Sequence, residues 1–137
     1  MNILTRLHRL RVPILIAACV LWLAAFVLTH VPGEGLPDVS VGDTTLHTIG
    51  YFGLASCLLI ALAAFGVKRW PRIGYTVAAT LSYAVLDEYT QQFVNRHTDF
   101  RDLLSDLVGL YVAVLVWELL LSILSRRTSP KHQENPD

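Results

Sequence analysis

The chain has 137 residues, 53 % of them hydrophobic and 16 % charged, a greasier balance than that of a soluble domain. Its length suits one domain, and a formal net charge of zero gives no reason to expect nucleic-acid binding. Phosphate-cradling glycine loops, a nucleophile elbow and zinc motifs are missing from the sequence, so no cofactor is expected.

Arg6, His8, Arg9 and Arg11 precede an apolar run from Val12 to Leu28. With its flanks this run is long enough to span a bilayer. It is long for the core of a signal peptide and no small-x-small cleavage site ends it, so the pattern predicts an uncleaved membrane helix over 12–31. The connection 31–45 is short and acidic, with Pro32, Gly33, Gly35, Pro37 and Gly42 as turn formers. A second apolar segment predicts a helix over 46–67. It ends at the basic link Lys68-Arg69-Trp70-Pro71-Arg72, which forces an antiparallel return. Cys19 and Cys57 lie near the middle of these two runs, where a cysteine is a small hydrophobe between helices.

The third segment starts at Ile73, but its apolar part stops at Leu86. A helix of that extent covers about 21 Å, against about 30 Å of hydrocarbon. Continuing it to residue 93 supplies the missing length and places Asp87, Glu88 and Gln91 below the headgroups. The fourth helix is expected over 103–124, with Asp106 in its first turn. Residues 126–137 read as a disordered polar tail after a transmembrane domain over 1–125. The N-terminus, the 68–72 link and the tail hold every Lys and Arg except Arg96 and Arg101. By the positive-inside rule the fold expected is an all-α integral membrane four-helix bundle with both termini cytoplasmic. The stretch 86–109 then faces the outer side.

That stretch, LDEYTQQFVNRHTDFRDLLSDLVG, is far more polar than the segments it joins. Ionisable groups at membrane depth are costly and mark functional sites. On a helical wheel, Gly74, Ala78 and Ser82 form a small-residue stripe that would face a neighbouring helix, with Glu88 and the glutamines beside it. On the fourth helix Asp102 and Asp106 share a face with Gly109 and Ala113. Glu118 points the other way, as a group in an interhelical hydrogen bond or a snorkelling carboxyl would. His47 opens the second helix level with Glu88 and Asp106, with Tyr51 one turn on. Glu88, Asp102 and Asp106 are therefore the candidate acids, His47 the candidate base or proton relay, and Arg96, Arg101 and Gln91 the groups for an anionic ligand. No ligand spacing along the chain resembles a metal cage, and none is expected.

Several of these residues also match a known pattern. The run Asp87-Glu88-Tyr89-Thr90-Gln91-Gln92-Phe93, followed by Arg96, Asp102, Asp106 and Gly109, resembles the motif of the VanZ-like family of small bacterial membrane proteins. His47 ahead of Gly50-Tyr51-Phe52-Gly53-Leu54 resembles that family's second-helix histidine, and Thr29-His30-Val31-Pro32 the end of its first helix. Asp106 stands where the family often has asparagine, Asn95 where it often has Pro-Gly, and Ala113 where it has a further glycine. The family's founding member is linked to low-level resistance to teicoplanin, a lipid-bearing glycopeptide. The resemblance thus implies an envelope role, not resistance as such.

Three readings follow. In the first, the protein sits in the bacterial inner membrane and binds or acts on an envelope lipid or lipid-linked sugar through this cluster. In the second, it is a scaffold or accessory subunit whose polar cluster clamps helices together. The third, a proton-coupled transporter, suffers from the narrow path that four short helices leave. The residues leave open whether the cluster catalyses.

Overall fold

The computed structural model describes residues 3–31, 42–94 and 100–128. Among them the regular structure is all helical: α1 (Ile3–Arg9), α2 (Arg11–Thr29), α3 (Asp43–Ala64), α4 (Arg69–Gln91) and α5 (Phe100–Thr128), with a 3₁₀ turn at Gln92–Val94. Three segments, Arg11–Thr29, Thr44–Ala64 and Phe100–Leu124, are long and apolar enough to cross a membrane. At 23 residues α4 also has the length, but it carries Asp87 and Glu88.

The boundaries differ from the expected ones for local reasons. The basic N-terminal residues form the short helix α1, separated from α2 at Leu10. The basic link is not a turn through residue 72, because α4 already begins at Arg69. Pro71 falls in the first helical turn, where its missing N–H would have had no partner. The reversal is confined to residues 65–68. There Gly66 adopts φ +78°, its N–H donates to Ala63 O (2.9 Å) and the Val67 N–H donates to Leu62 O (3.0 Å). This pair of bonds, with a left-handed glycine, closes a helix in a Schellman motif. At the far end α5 continues to Thr128, so residues 126–128 extend the helix instead of starting a tail. Residues 129–137 and most of the 31–45 connection lie outside the described residues.

Contacts near both ends set the helix directions. Trp22 Nε1 donates to Leu54 O at 3.2 Å and the Arg11 guanidinium lies 5.8 Å from the centroid of the Phe65 ring, so α2 and α3 are antiparallel, and His8 of α1 adds a contact to Ala64 O at 3.2 Å. Tyr51 of α3 meets Tyr83 of α4, with ring centroids 5.9 Å apart. At the opposite end Arg72 of α4 grips Glu118 of α5: Nε donates to Oε1 at 2.8 Å and Nη2 to Oε2 at 3.0 Å. Arg69 Nε adds a contact at 3.4 Å. Glu118 thus forms the interhelical bond expected of it, and a buried carboxylate gains the bidentate partner it needs. Cys19 and Cys57 are free thiols.

The tightest packing is between α3 and α5. Ala55, Leu110 and Ala113 form its buried core, with Phe52, Val114 and Trp117 against it. Gly109 lets the two backbones touch. A Cβ there would collide with the carbonyl oxygen of Thr48 and lie 2.8 Å from the Phe52 nitrogen. The small-residue face expected on the fourth helix is therefore the one that packs.

The corresponding expectation for the third helix is corrected. Gly74, Ala78 and Ser82 are exposed, and α4 buries Thr76, Thr80, Ala84, Asp87 and Gln91 instead. That polar face lies about 140–180° around the helix from the glycine stripe. Small side chains tolerate an apolar surround, whereas Asp87 and Gln91 do not, so the polar face turns inward. Large apolar side chains cover the outside, among them Val20, Leu23, Leu28, Ile49, Val108 and Leu119, an arrangement suited to lipid and not to water. Gly109→Ala is expected to lower the thermal midpoint of the purified protein by several degrees. Gly53→Ala, where nothing lies within 4 Å of the added Cβ, leaves it unchanged; equal midpoints for the two would refute the close-contact account.

Candidate functional site

The ends of α2 and α4 meet the starts of α3 and α5, and polar side chains gather there in two groups. The first surrounds Asp87, whose side chain is 1 % exposed. Thr29 Oγ1 donates to its Oδ1 at 2.7 Å and Gln91 Nε2 donates to its Oδ2 at 2.9 Å. His30 stands 3.8 Å away on the Oδ1 side. Its Nδ1 lies 2.8 Å from Phe26 O and its Nε2 lies 2.8 Å from Thr90 Oγ1. Both carboxylate oxygens are bonded, and the bond from Thr29 ties α2 to α4. Gln91 sits where it braces Asp87, with 3 % of its surface exposed. Gln92 faces outward, its amide donating to Tyr89 O.

The second group is differently built. His47 Nδ1 lies 2.9 Å from Asp106 Oδ1. With Asp106 ionised, its oxygen can only accept, so that Nδ1 carries the proton and the lone pair of the neutral ring falls on Nε2. The Tyr51 ring stacks beside the imidazole, centroids 6.3 Å apart and planes 9° from parallel, which adds to the constraint on its orientation. Donor atoms of His47, Glu88 and Asp102 all lie within 4.8 Å of one another. The three residues come from α3, α4 and α5, so helix packing and not sequence spacing assembles them. His47 and Asp102 are buried and Glu88 is half-buried. Asp106 Oδ2 is buried with no hydrogen-bond partner among the described residues, as are the hydroxyls of Tyr51, Tyr83, Thr76 and Thr80. A buried carboxylate oxygen in that condition has room for a donor, a water or an ion.

Four of the residues expected at the site are therefore brought together: Glu88, His47, Asp102 and Asp106. Arg101 is exposed on the first turn of α5, and its carbonyl accepts from Ser105 Oγ at 2.8 Å. Arg96 lies outside the described residues. Sequence reasoning gave Asp87, Thr29 and His30 no role, because the wheel that turned the glycine stripe inward set Asp87 on the opposite face. The missing clue was the partner: Thr29 and Asp87 are far apart in sequence, and only the pairing of α2 with α4 joins them.

The contrast gives a stability prediction. Asp87→Ala strips the acceptor from Thr29 and Gln91, leaving donors without partners. Each such loss costs about 1–3 kcal/mol, so the variant is expected to show a clearly lower thermal midpoint and reduced membrane abundance. Glu88→Gln keeps size and hydrogen-bonding capacity at a half-buried position, and its abundance is expected to stay near wild type. A Glu88→Gln protein as unstable as Asp87→Ala would mean that both groups are structural.

Comparison with curated proteins and with solved structures finds no match. A family model described as VanZ/LLP1 matches residues 14–121, most of α2 through α5 and every member of both polar groups. On that match, and with three helices apolar and long enough to span a bilayer, the chain is a membrane protein that belongs to the VanZ/LLP1 family.

Proposed function

We propose that this chain crosses the bacterial inner membrane four times, with both termini in the cytoplasm, and binds or acts on an envelope lipid or lipid-linked sugar at the outer face. Exposed aromatics support the fourth crossing. Trp70 and Tyr75 stand out at the start of α4, and Tyr89 and Phe93 at and just beyond its end. Aromatic rings favour membrane interfaces, and residues 70 to 93 span about 34 Å as a helix, close to a hydrocarbon core with its margins. The basic residues of α1 and of the 68–72 segment share the other end, as the contact between His8 and Ala64 requires.

The observation that carries the functional reading is the convergence of His47, Glu88 and Asp102 next to an unsatisfied Asp106 oxygen, at one end of helices whose outer surfaces suit lipid. In this reading Glu88 is the principal acid or base. His47 exchanges a proton with it through Nε2, held in that tautomer by Asp106. Asp102 fixes the geometry, while Arg96 and Arg101 draw in the anionic part of the ligand. A lipid or lipid-linked ligand reaches such a site sideways from the bilayer, which suits a cluster at the membrane boundary. The family's link to a lipid-bearing glycopeptide agrees with an envelope ligand of this class.

A second reading, a scaffold or accessory subunit held together by its polar residues, draws support from Asp87, whose bonds are complete and join α2 to α4. The two readings separate in cells that express wild type or Glu88→Gln at matched membrane levels. Mass spectrometry of envelope lipids and cell-wall precursors is expected to show a species whose abundance changes with the wild type and not with the variant. Identical profiles, with both proteins stably inserted, would favour the scaffold.

A further inference from the structure

We propose that His47, Glu88 and Asp102 hold a divalent transition-metal ion, of the Zn²⁺ or Mn²⁺ kind, that links α3, α4 and α5. The inference rests on reading this cluster as a binding site, with His47 Nε2 and Glu88 as ligands in place of the proton exchange, and adds to it the ion through which an anionic headgroup would be held. Donors on one ion at about 2.1 Å stand no more than about 4 Å apart. The three donor atoms here already lie within 4.8 Å of one another, a gap that small side-chain rotations close. One imidazole with two carboxylates is a donor set for borderline divalent ions, whereas calcium prefers oxygen throughout.

Asp106 supplies an independent observation. A metal-binding histidine commonly donates its other ring N–H to a carboxylate, which fixes the tautomer and turns the lone pair toward the ion. Asp106 Oδ1 takes that position at His47 Nδ1, at 2.9 Å. Its second oxygen is buried and has no partner among the described residues, which aligns with an additional donor such as an ion-bound water. Charge points the same way. Carboxylates gathered around an imidazole in a weakly screening surround favour a nearby proton or cation. A divalent ion meets that preference and inverts the local electrostatics. Three protein ligands leave at least one position open, the arrangement of metal sites that bind substrate, and a phosphate oxygen of a lipid or lipid-linked sugar fits there. The sequence hides such a site because its ligands, His47, Glu88 and Asp102, are scattered along the chain and sit on three helices.

The test uses the full chain in detergent micelles, stripped with chelator and titrated with Zn²⁺ by calorimetry. One ion per chain is expected, with an affinity at least tenfold weaker in Glu88→Gln and in His47→Gln. Asp106→Asn is expected to weaken binding about tenfold or more, as loss of an orienting partner does. His8→Gln, at the opposite end, binds as wild type. Zn²⁺ X-ray absorption compares wild type with His47→Gln: imidazole scattering that is present in the wild type and lost in the variant supports the site, and its lack in the wild type or its persistence in the variant overturns it. Absence of saturable binding, or affinity unchanged in both Glu88→Gln and His47→Gln, also overturns it. The two claims fail separately. A lipid profile that responds to the wild type, in a protein that binds no metal, overturns the ion and leaves the lipid reading; one bound ion without any lipid response does the reverse.

Discussion

The backbone of α5 rests on that of α3 at Gly109, and the chemistry at this end of the molecule depends on that contact. Asp106 lies one turn before Gly109 on α5, and His47 immediately precedes Thr48, whose carbonyl faces the glycine. Only helices this close bring a short aspartate within 2.9 Å of the imidazole. A larger residue at 109 would lever the helices apart and separate that pair first. The same approach packs Ala55 with Leu110 and Ala113, as expected where close van der Waals packing must replace the hydrophobic drive that lipid does not supply.

Two buried aspartates at this end show how differently the same side chain can be used. Asp87 receives a donor on each oxygen, from α2 and from its own helix, and so acts as a joint. Asp106 receives one donor and keeps a buried acceptor unfilled. In an apolar surround an unfilled acceptor costs free energy, and a fold tolerates it where something else occupies the place or where function requires it. At the opposite end Glu118 is fully engaged by Arg72. Of Asp87, Asp106 and Glu118, then, Asp106 alone keeps an oxygen without a partner among the described residues, and it is the one beside His47, Glu88 and Asp102.

Much of this was legible in the sequence. The apolar runs fixed the helices to within a few residues, and the wheel on the fourth helix found the face that packs. The position of His47 at a helix start placed it level with Glu88 and Asp106. The third helix misled because small residues and hydroxyls compete for the interior. The stripe of Gly74, Ala78 and Ser82 has the spacing of a close-packed interface, but turning it inward would have sent Asp87 and Gln91 into lipid. Polar burial outweighed close approach. The Asp87 joint was hidden for another reason: its donor on α2 is 58 residues away, and no local pattern marks a threonine as the partner of a distant carboxylate. Ligands drawn from three helices are illegible in the same way. The 68–72 link holds the reversal only up to Lys68, because a proline in the first turn of a helix, as Pro71 is, interrupts nothing.

We propose that the end carrying His47, Glu88, Asp102 and Asp106 lies at the outer face of the membrane, open to an envelope ligand. Thiol labelling tests it most directly. In a background with Cys19 and Cys57 replaced by alanine, Phe93→Cys and Trp70→Cys put reporters at exposed positions at opposite ends of the α4 segment. A membrane-impermeant maleimide applied to intact spheroplasts is expected to label position 93 and to reach position 70 only after the cells are opened. Labelling of position 70 from outside, with position 93 protected until lysis, would invert the topology and remove the proposed site from the envelope face.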